Sequence, residues 1–219
     1  RVFYVKEDPR VEAVGEALPG ANCGGCGFAG CEGYATAVVN DPSVPANKCC
    51  AGGAATSIAV GELTGKTVAE DEPLYALRRC DKLAGKVAPR YQYQGMPSCA
   101  AAALMRGGTD VCVYSCLGFG EQVCPFGAME VREGLVRVDR SKCTGCGVCV
   151  AACPRGILEL TPQRGRVAVY CNTRDKLRAV MDVCDVGCIK CGKCIKTCPA
   201  NAVRLEDNRI VIDHLLCLS

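Results

Sequence analysis

Tryptophan is absent from this chain, aromatic side chains make up only 5% of it, and His214 is its sole histidine. So few large rings leave the apolar core thin for 219 residues, 25 of which are glycine. One histidine beside a crowd of cysteines gives no placed base for a hydrolytic triad, and His214 reads as a surface or packing residue. Long apolar runs are missing too: the longest, Cys99 to Met105, is far too short to span a bilayer, and the chain as given reads as soluble. Lys and Arg are scattered without a basic block, which removes the usual footprint of a nucleic-acid partner. Gly24-x-x-Gly27 and Gly118-x-Gly120 lack the full glycine set between a strand and a helix, so no flavin or nicotinamide fingerprint is present.

What the chain has in excess is cysteine, 21 residues of it. Disulfides need an oxidising compartment and are favoured in small secreted chains. Here no signal peptide is visible, the count is odd, and C-x2-C-x2-C is too tight for a network of bridges. Zinc favours separated C-x2-C pairs or Cys/His mixtures. The chain instead carries Cys143, Cys146, Cys149, Cys153-Pro154 and, again, Cys188, Cys191, Cys194, Cys198-Pro199. Both read C-x2-C-x2-C-x3-C-P, the thiolate spacing of cubic iron–sulfur clusters, whose fourth cysteine ligates the other cluster of a pair. Metal binding then supplies folding free energy that a thin core does not, and the apo chain should fold poorly. The formal net charge of +3 counts cysteine as neutral. Each oxidised cube with four thiolates carries about −2, so several cubes reverse that sign.

Three sections follow from composition and repetition. In residues 1–66, Asp8-Pro9 opens a helix ending near Leu18, a second helix runs Glu32 to Val39, and an Ala-rich helix ends near Leu63. The remainder, 67–165 and 166–219, is an imperfect repeat. Tyr75–Cys80 pairs with Val167–Cys171 as strand-like pieces ending in cysteine. Cys112-x3-Cys116 pairs with Cys184-x3-Cys188, Cys124-Pro125 with Cys198-Pro199, and the strand Val136–Asp139 with Ile210–Asp213. Eighteen residues separate Cys124 from Cys143, and eighteen separate Cys198 from Cys217. Cys217 therefore reads as the first ligand of a motif that continues past Ser219, just as Arg1 in place of Met implies a missing N-terminal segment.

Cys23, Cys26, Cys31 and Cys49 form C-x2-C-x4-C-x17-C, a separate four-cysteine site, with Cys50 the rival for its last place. The intervening glycines free backbone N–H groups to point at sulfur. Cys143, Cys146 and Cys149 take Cys124 as remote ligand, since the proline after it redirects the chain. Cys153 should serve a partner cluster with Cys112, Cys116 and one cysteine more. That cysteine is missing from Gly118–Val123, and a Cys-containing dipeptide after Gly120 would restore the spacing. Either the site borrows Cys80 or Cys99, or residues have been lost. Cys188, Cys191 and Cys194 lack a remote ligand, for which Cys184, Cys171 or a following segment could serve; Cys198 and Cys217 belong to a further site. Cys50, Cys80, Cys99, Cys171 and Cys184 otherwise read as small buried apolar residues.

The stretch Cys23-Gly-Gly-Cys26-Gly-Phe-Ala-Gly-Cys31 through Asn47-Lys48-Cys49-Cys-Ala-Gly52-Gly53 resembles the iron–sulfur domain of the B subunit of Rnf complexes, a small domain that also occurs in corrinoid iron–sulfur proteins. In that family the last ligand precedes a Pro-Pro-Gly-Gly-like run, which aligns with Cys49; Cys50 and Ala51 replace the prolines. The resemblance continues through Tyr91–Gly95, Cys99-Ala-Ala-Ala-Ala-Leu, Cys116-Leu-Gly-Phe-Gly, Cys124-Pro-Phe-Gly-Ala and both ferredoxin-like motifs. It implies an α+β chain: a small, mostly helical iron–sulfur domain followed by tandem bacterial ferredoxin-like 2[4Fe-4S] modules, the last incomplete. It further implies at least three [4Fe-4S] clusters, with cysteine for four or more, and a polyferredoxin relay on the cytoplasmic face of the cell membrane. Soluble ferredoxin is the expected electron donor, and other Rnf subunits, membrane and flavin/NADH-binding, the expected partners. The family's N-terminal membrane helix is absent here, so membrane contact runs through that segment and the partners. The enzyme is then the multi-subunit oxidoreductase coupled to Na+ or H+ translocation, while the chain alone only transfers electrons. The alternative is an iron–sulfur subunit of another soluble redox or corrinoid-dependent complex.

Overall fold

The computed structural model describes residues 8–69 and 72–218. Its contacts divide the chain into two units, Arg1–Pro73 with Thr144–Val148, and Leu74–Cys143 with Cys149–Ser219.

Three helices build the first unit: α1 (Pro9–Ala17), α2 (Gly30–Asn40) and α3 (Gly53–Thr64). Asp8 caps α1 by accepting from the Arg10 N–H at 2.9 Å, and Pro9 occupies the first helical position, where its missing N–H costs nothing. Gly65 ends α3 in the left-handed conformation at φ 68°. The helices enclose Val14, Tyr34, Ala35, Val38 and Val60, with Cys49 buried among them and Cys26 and Cys31 packed against the same cluster. Tyr34 donates its hydroxyl proton to the Pro45 carbonyl at 2.9 Å. Lys66 donates its ammonium to the Asp41 and Val44 carbonyls at 2.7 and 2.6 Å, pinning the loop that leads to Cys49. All three expected helices are present.

The second unit is mostly irregular chain stapled by three two-stranded antiparallel sheets. Strand β1 (Leu74–Arg78) pairs with β4 (Leu158–Pro162). Hairpins β2 (Met129–Arg132)–β3 (Leu135–Val138) and β5 (Val203–Glu206)–β6 (Arg209–Ile212) are equivalent. Each turns through two residues with positive φ, Glu133-Gly134 and Asp207-Asn208, as a two-residue hairpin requires. The equivalence extends to hydrogen bonds. Asp139 N–H donates to Ala128 O as Asp213 does to Ala202 O, and Cys143 N–H to Asp139 O as Cys217 does to Asp213 O. The internal repeat is thus a repeat of backbone geometry. Short helices α4 (Cys99–Leu104), α5 (Val148–Ala152), α6 (Leu177–Met181) and α7 (Lys193–Thr197) punctuate the loops.

One expected strand is not formed. Val167–Cys171 has no regular structure, although its counterpart β1 does. The reason lies in pairing: β1 is satisfied by β4, and among the described residues no strand pairs with Val167–Cys171. A strand without a ladder partner leaves its backbone groups unpaired. Expected strand Tyr75–Cys80 also stops at Arg78, because Arg79 turns inward. Its buried guanidinium meets Glu159 at 2.9 Å and donates to the Ile210 carbonyl, tying β1 to the second hairpin.

The unit's core is Ala76, Leu135, Val136, Ile157 and Leu158 with the thiols of Cys80, Cys116 and Cys149 buried among them. Gly118 passes so close to the β2–β3 turn that a Cβ there would meet the Gly134 carbonyl oxygen at 2.5 Å, and its φ is +78°. Gly127, at φ +61°, faces open space. Gly118→Ala should therefore destabilise the cluster-loaded protein by about 2–4 kcal/mol, against about 1 kcal/mol for Gly127→Ala. Thermal unfolding under anaerobic conditions checks this, and equal midpoints for the two variants would contradict the close approach.

Candidate iron–sulfur centres

No cysteine pairs in a disulfide among the described residues, and no helix among them is long and apolar enough to cross a membrane. The thiols instead gather in groups. In the first unit Gly24, Gly27 and Gly30 all adopt positive φ, coiling the loop 23–31 tightly. Asn22 clamps that loop by accepting the Cys31 N–H on Oδ1 at 2.8 Å, in space that a side chain at Gly30 would fill. Cys49 lies buried opposite. Burial pushes its thiol pKa up, the neighbouring thiols of Cys31, Cys26 and Cys23 push it the same way, and the Gly52 N–H opposes them by donating to the sulfur. Cys49 is buried in the cluster against which Cys26 and Cys31 pack. The thiol of Cys50 is pushed up to about 11, chiefly by burial.

In the second unit two cavities are lined by cysteine. The first is bordered by Cys99, Cys116, Cys149 and Cys153 among apolar side chains such as Met129 and Leu158. Cys99 sits close enough to Cys116 and Cys153 that their charges raise its thiol pKa, after the larger effect of burial, and its sulfur accepts the Phe119 N–H. Of the two candidates to join Cys116 and Cys153, Cys99 is the one the fold brings to their cavity. Cys124 and Cys143 pack against the same core as Cys153. Their sulfurs accept backbone N–H groups, Ala128 to Cys124 at 3.3 Å and Ala76 to Cys143 at 3.4 Å. Cys146 lies in the segment that groups with the first unit.

Cys112, expected beside Cys116 and Cys153, lines a second cavity with Cys80, Cys171 and Cys184. Arg155 separates the two: its guanidinium donates to the carbonyls of Cys112 (3.2 Å) and Ser115 (2.8 Å), so the chain wraps around it between Cys112 and Cys116. The remaining motif is more open. Cys191 and Cys194 are exposed and Cys188, Cys198 and Cys217 half-buried, on and around α7 and hairpin β5–β6.

This donor set fits iron–sulfur clusters. Crowded thiols surrounded by N–H donors suit sulfur held as thiolate by cationic iron. Among the described residues no three His, Cys, Asp or Glu side chains converge closely enough to hold a single metal ion.

Comparison with known proteins agrees. The FeS family model, an Fe-S cluster family, matches residues 18–50, and a model described as "4Fe-4S dicluster domain" matches residues 142–202. Over 99% of its length the chain is 46% identical to the B subunit of the proton-translocating ferredoxin:NAD(+) oxidoreductase complex of Clostridium ljungdahlii, covering 78% of that protein. It is 42% identical to the B subunit of the Na(+)-translocating ferredoxin:NAD(+) oxidoreductase complex of Acetobacterium woodii, covering 66% of it. With the B subunit of the ion-translocating oxidoreductase complex of Methanosarcina acetivorans it shares 40% identity, covering 83%. The chain belongs to the family of B subunits of the ion-translocating (Rnf) ferredoxin:NAD(+) oxidoreductase complexes.

Proposed function

We propose that this chain is the electron-relay subunit of an ion-translocating ferredoxin:NAD(+) oxidoreductase, receiving electrons from reduced ferredoxin and passing them to membrane-bound and flavin/NADH-binding partners at the cytoplasmic face of the membrane. The observation that carries this reading is similarity along nearly the whole chain to relatives of that name, one at 46% identity. Those relatives are named for different ions, protons in one and Na+ in another, so the coupling ion lies outside the proposal.

When bound, [4Fe-4S] clusters supply reversible one-electron chemistry at low potential. The protein's part is to hold, space and tune them. Cys23, Cys26, Cys31 and Cys49 form one cage in residues 1–66. Cys124, Cys143, Cys146 and Cys149 form a second. Cys153 and Cys116, joined by Cys99, contribute a third. Cys188, Cys191 and Cys194 contribute a fourth, with Cys198 and Cys217 reaching toward another. Residues 67–165 and 166–219 are then two ferredoxin-like modules, and at least three clusters are held. The N–H groups of Gly52, Phe119, Ala128 and Ala76 that meet sulfur spread the negative charge of a reduced cluster and hold its potential up. The apolar lining of the first cavity excludes water, with the opposite effect on potential.

Mixing the anaerobically purified chain with chemically reduced ferredoxin should bleach its visible absorbance within the mixing experiment and reversibly. Absorbance that stays unchanged, with intact clusters, would contradict the relay. Cys49→Ala should remove about four irons per chain and one cubic-cluster signal, while Cys50→Ala retains the full iron content. The reverse result would move the fourth ligand to Cys50. Cys146→Ala should likewise abolish one cluster and spare that of Cys23–Cys49, read by electron paramagnetic resonance; loss of every signal together would argue against independent cages.

A further inference from the structure

Cys80, Cys112, Cys171 and Cys184 lie far apart in sequence, yet they line one cavity. The internal repeat pairs them: Cys80 corresponds to Cys171 and Cys112 to Cys184, so each repeat contributes one pair. We propose that these four thiolates form a further cage for a cubic iron–sulfur cluster, held jointly by the two repeats. The inference rests on the relay reading, which it extends with a site that neither C-x2-C-x2-C-x3-C-P motif contains.

Three observations carry it. The thiols share one space: all four border the same cavity, and the Cys184 sulfur lies where a Cβ at Gly85, in the loop after Cys80, would stand. The Cys80 sulfur accepts the Cys116 N–H at 3.4 Å. In a repeated pattern, the N–H groups two residues on, of Lys82, Tyr114 and Val186, favour the thiolate at Cys80, Cys112 and Cys184. Backbone N–H groups aimed at sulfur stabilise thiolate.

The segments that carry the four are, moreover, tied to one another. Lys82 meets Asp110 at 2.9 Å, and Ser115 donates to the same carboxylate at 2.6 Å, joining the Cys80 loop to the Cys112 loop through buried Asp110. Asn172 donates to the Arg155 carbonyl at 2.9 Å while Arg155 donates to Cys112 O, joining the Cys171 segment to Cys112. Asp185 N–H donates to Gly85 O at 3.0 Å, joining Cys184 to the loop after Cys80. Gly85 is required there, since a side chain would occupy the place of the Cys184 sulfur. Lys82 lines this cavity, and Arg155, which lines the neighbouring one, reaches the Cys112 carbonyl; both are cations that offset the negative charge of a cube with four thiolates.

The test uses the full chain, purified anaerobically. Relative to wild type, Cys171→Ala should lose about four irons and four sulfides per chain and one component of the reduced paramagnetic spectrum, with the Cys23–Cys49 signal intact. Should that variant fail to accumulate, Cys112→Ser is read instead: replacing a sulfur ligand by oxygen shifts the midpoint potential or line shape of one component. Iron content and spectra identical to wild type in both variants would overturn the inference and leave the relay reading standing. Stoichiometric zinc in wild type that disappears from Cys171→Ala without loss of iron would overturn it too. A wild-type chain without iron would instead overturn the relay reading itself.

Discussion

Thiolate coordination is the constraint on which the rest of this structure depends. With no tryptophan and few aromatics, the chain cannot assemble a core from large rings, and the cores it does form include cysteine sulfur as a structural component. Cys49 sits inside the helical cluster of the first unit; Cys80, Cys116 and Cys149 sit inside that of the second. Sheets of two strands are marginal alone, and three of them joined by long loops need a further source of order. Metal–ligand bonds supply it, because a ligand set that exists only in the folded chain converts binding free energy into folding free energy. Fold and function then have one origin: the groups that order the loops are those that carry electrons.

The repeat shows how such a chain is organised. Hairpins β2–β3 and β5–β6 carry the same turn, the same aspartate-anchored exit and the same placement of the next cysteine eighteen residues after a Cys-Pro. Each hairpin acts as a spacer that sets where consecutive ligands stand. In the first unit the corresponding work is done by left-handed glycines and by Asn22, which hold three cysteines in a tight loop facing Cys49.

Much of this was legible in the sequence for specific reasons. Helix α1 announced itself through Asp8-Pro9, and α3 through its alanine run. The second strand of each hairpin, β3 and β6, alternates or runs apolar, and the Cys-Pro motifs carry their own spacing. Short elements such as β4, α4, α6 and α7 carried too little pattern to be separated from loop. Val167–Cys171 looked like β1 but has no partner to pair with, so its local preference did not suffice. The joining of Cys99 to Cys116 and Cys153, and of Cys80 and Cys112 to Cys171 and Cys184, depends on Arg155, Asp110 and Asn172 drawing distant loops together. Such long-range closures leave no periodicity in the chain; the missing ligand near Gly118–Val123 and the pairing of Cys80 with Cys171 and of Cys112 with Cys184 across the repeat pointed toward them.

The most direct test of the central claim is an iron and acid-labile sulfide determination on anaerobically purified full-length protein, followed by a potentiometric titration of the same sample. At least three cubic clusters per chain, reduced and reoxidised reversibly at low potential, are predicted. A colourless chain that folds without iron, or one whose iron is redox-silent, would contradict the account.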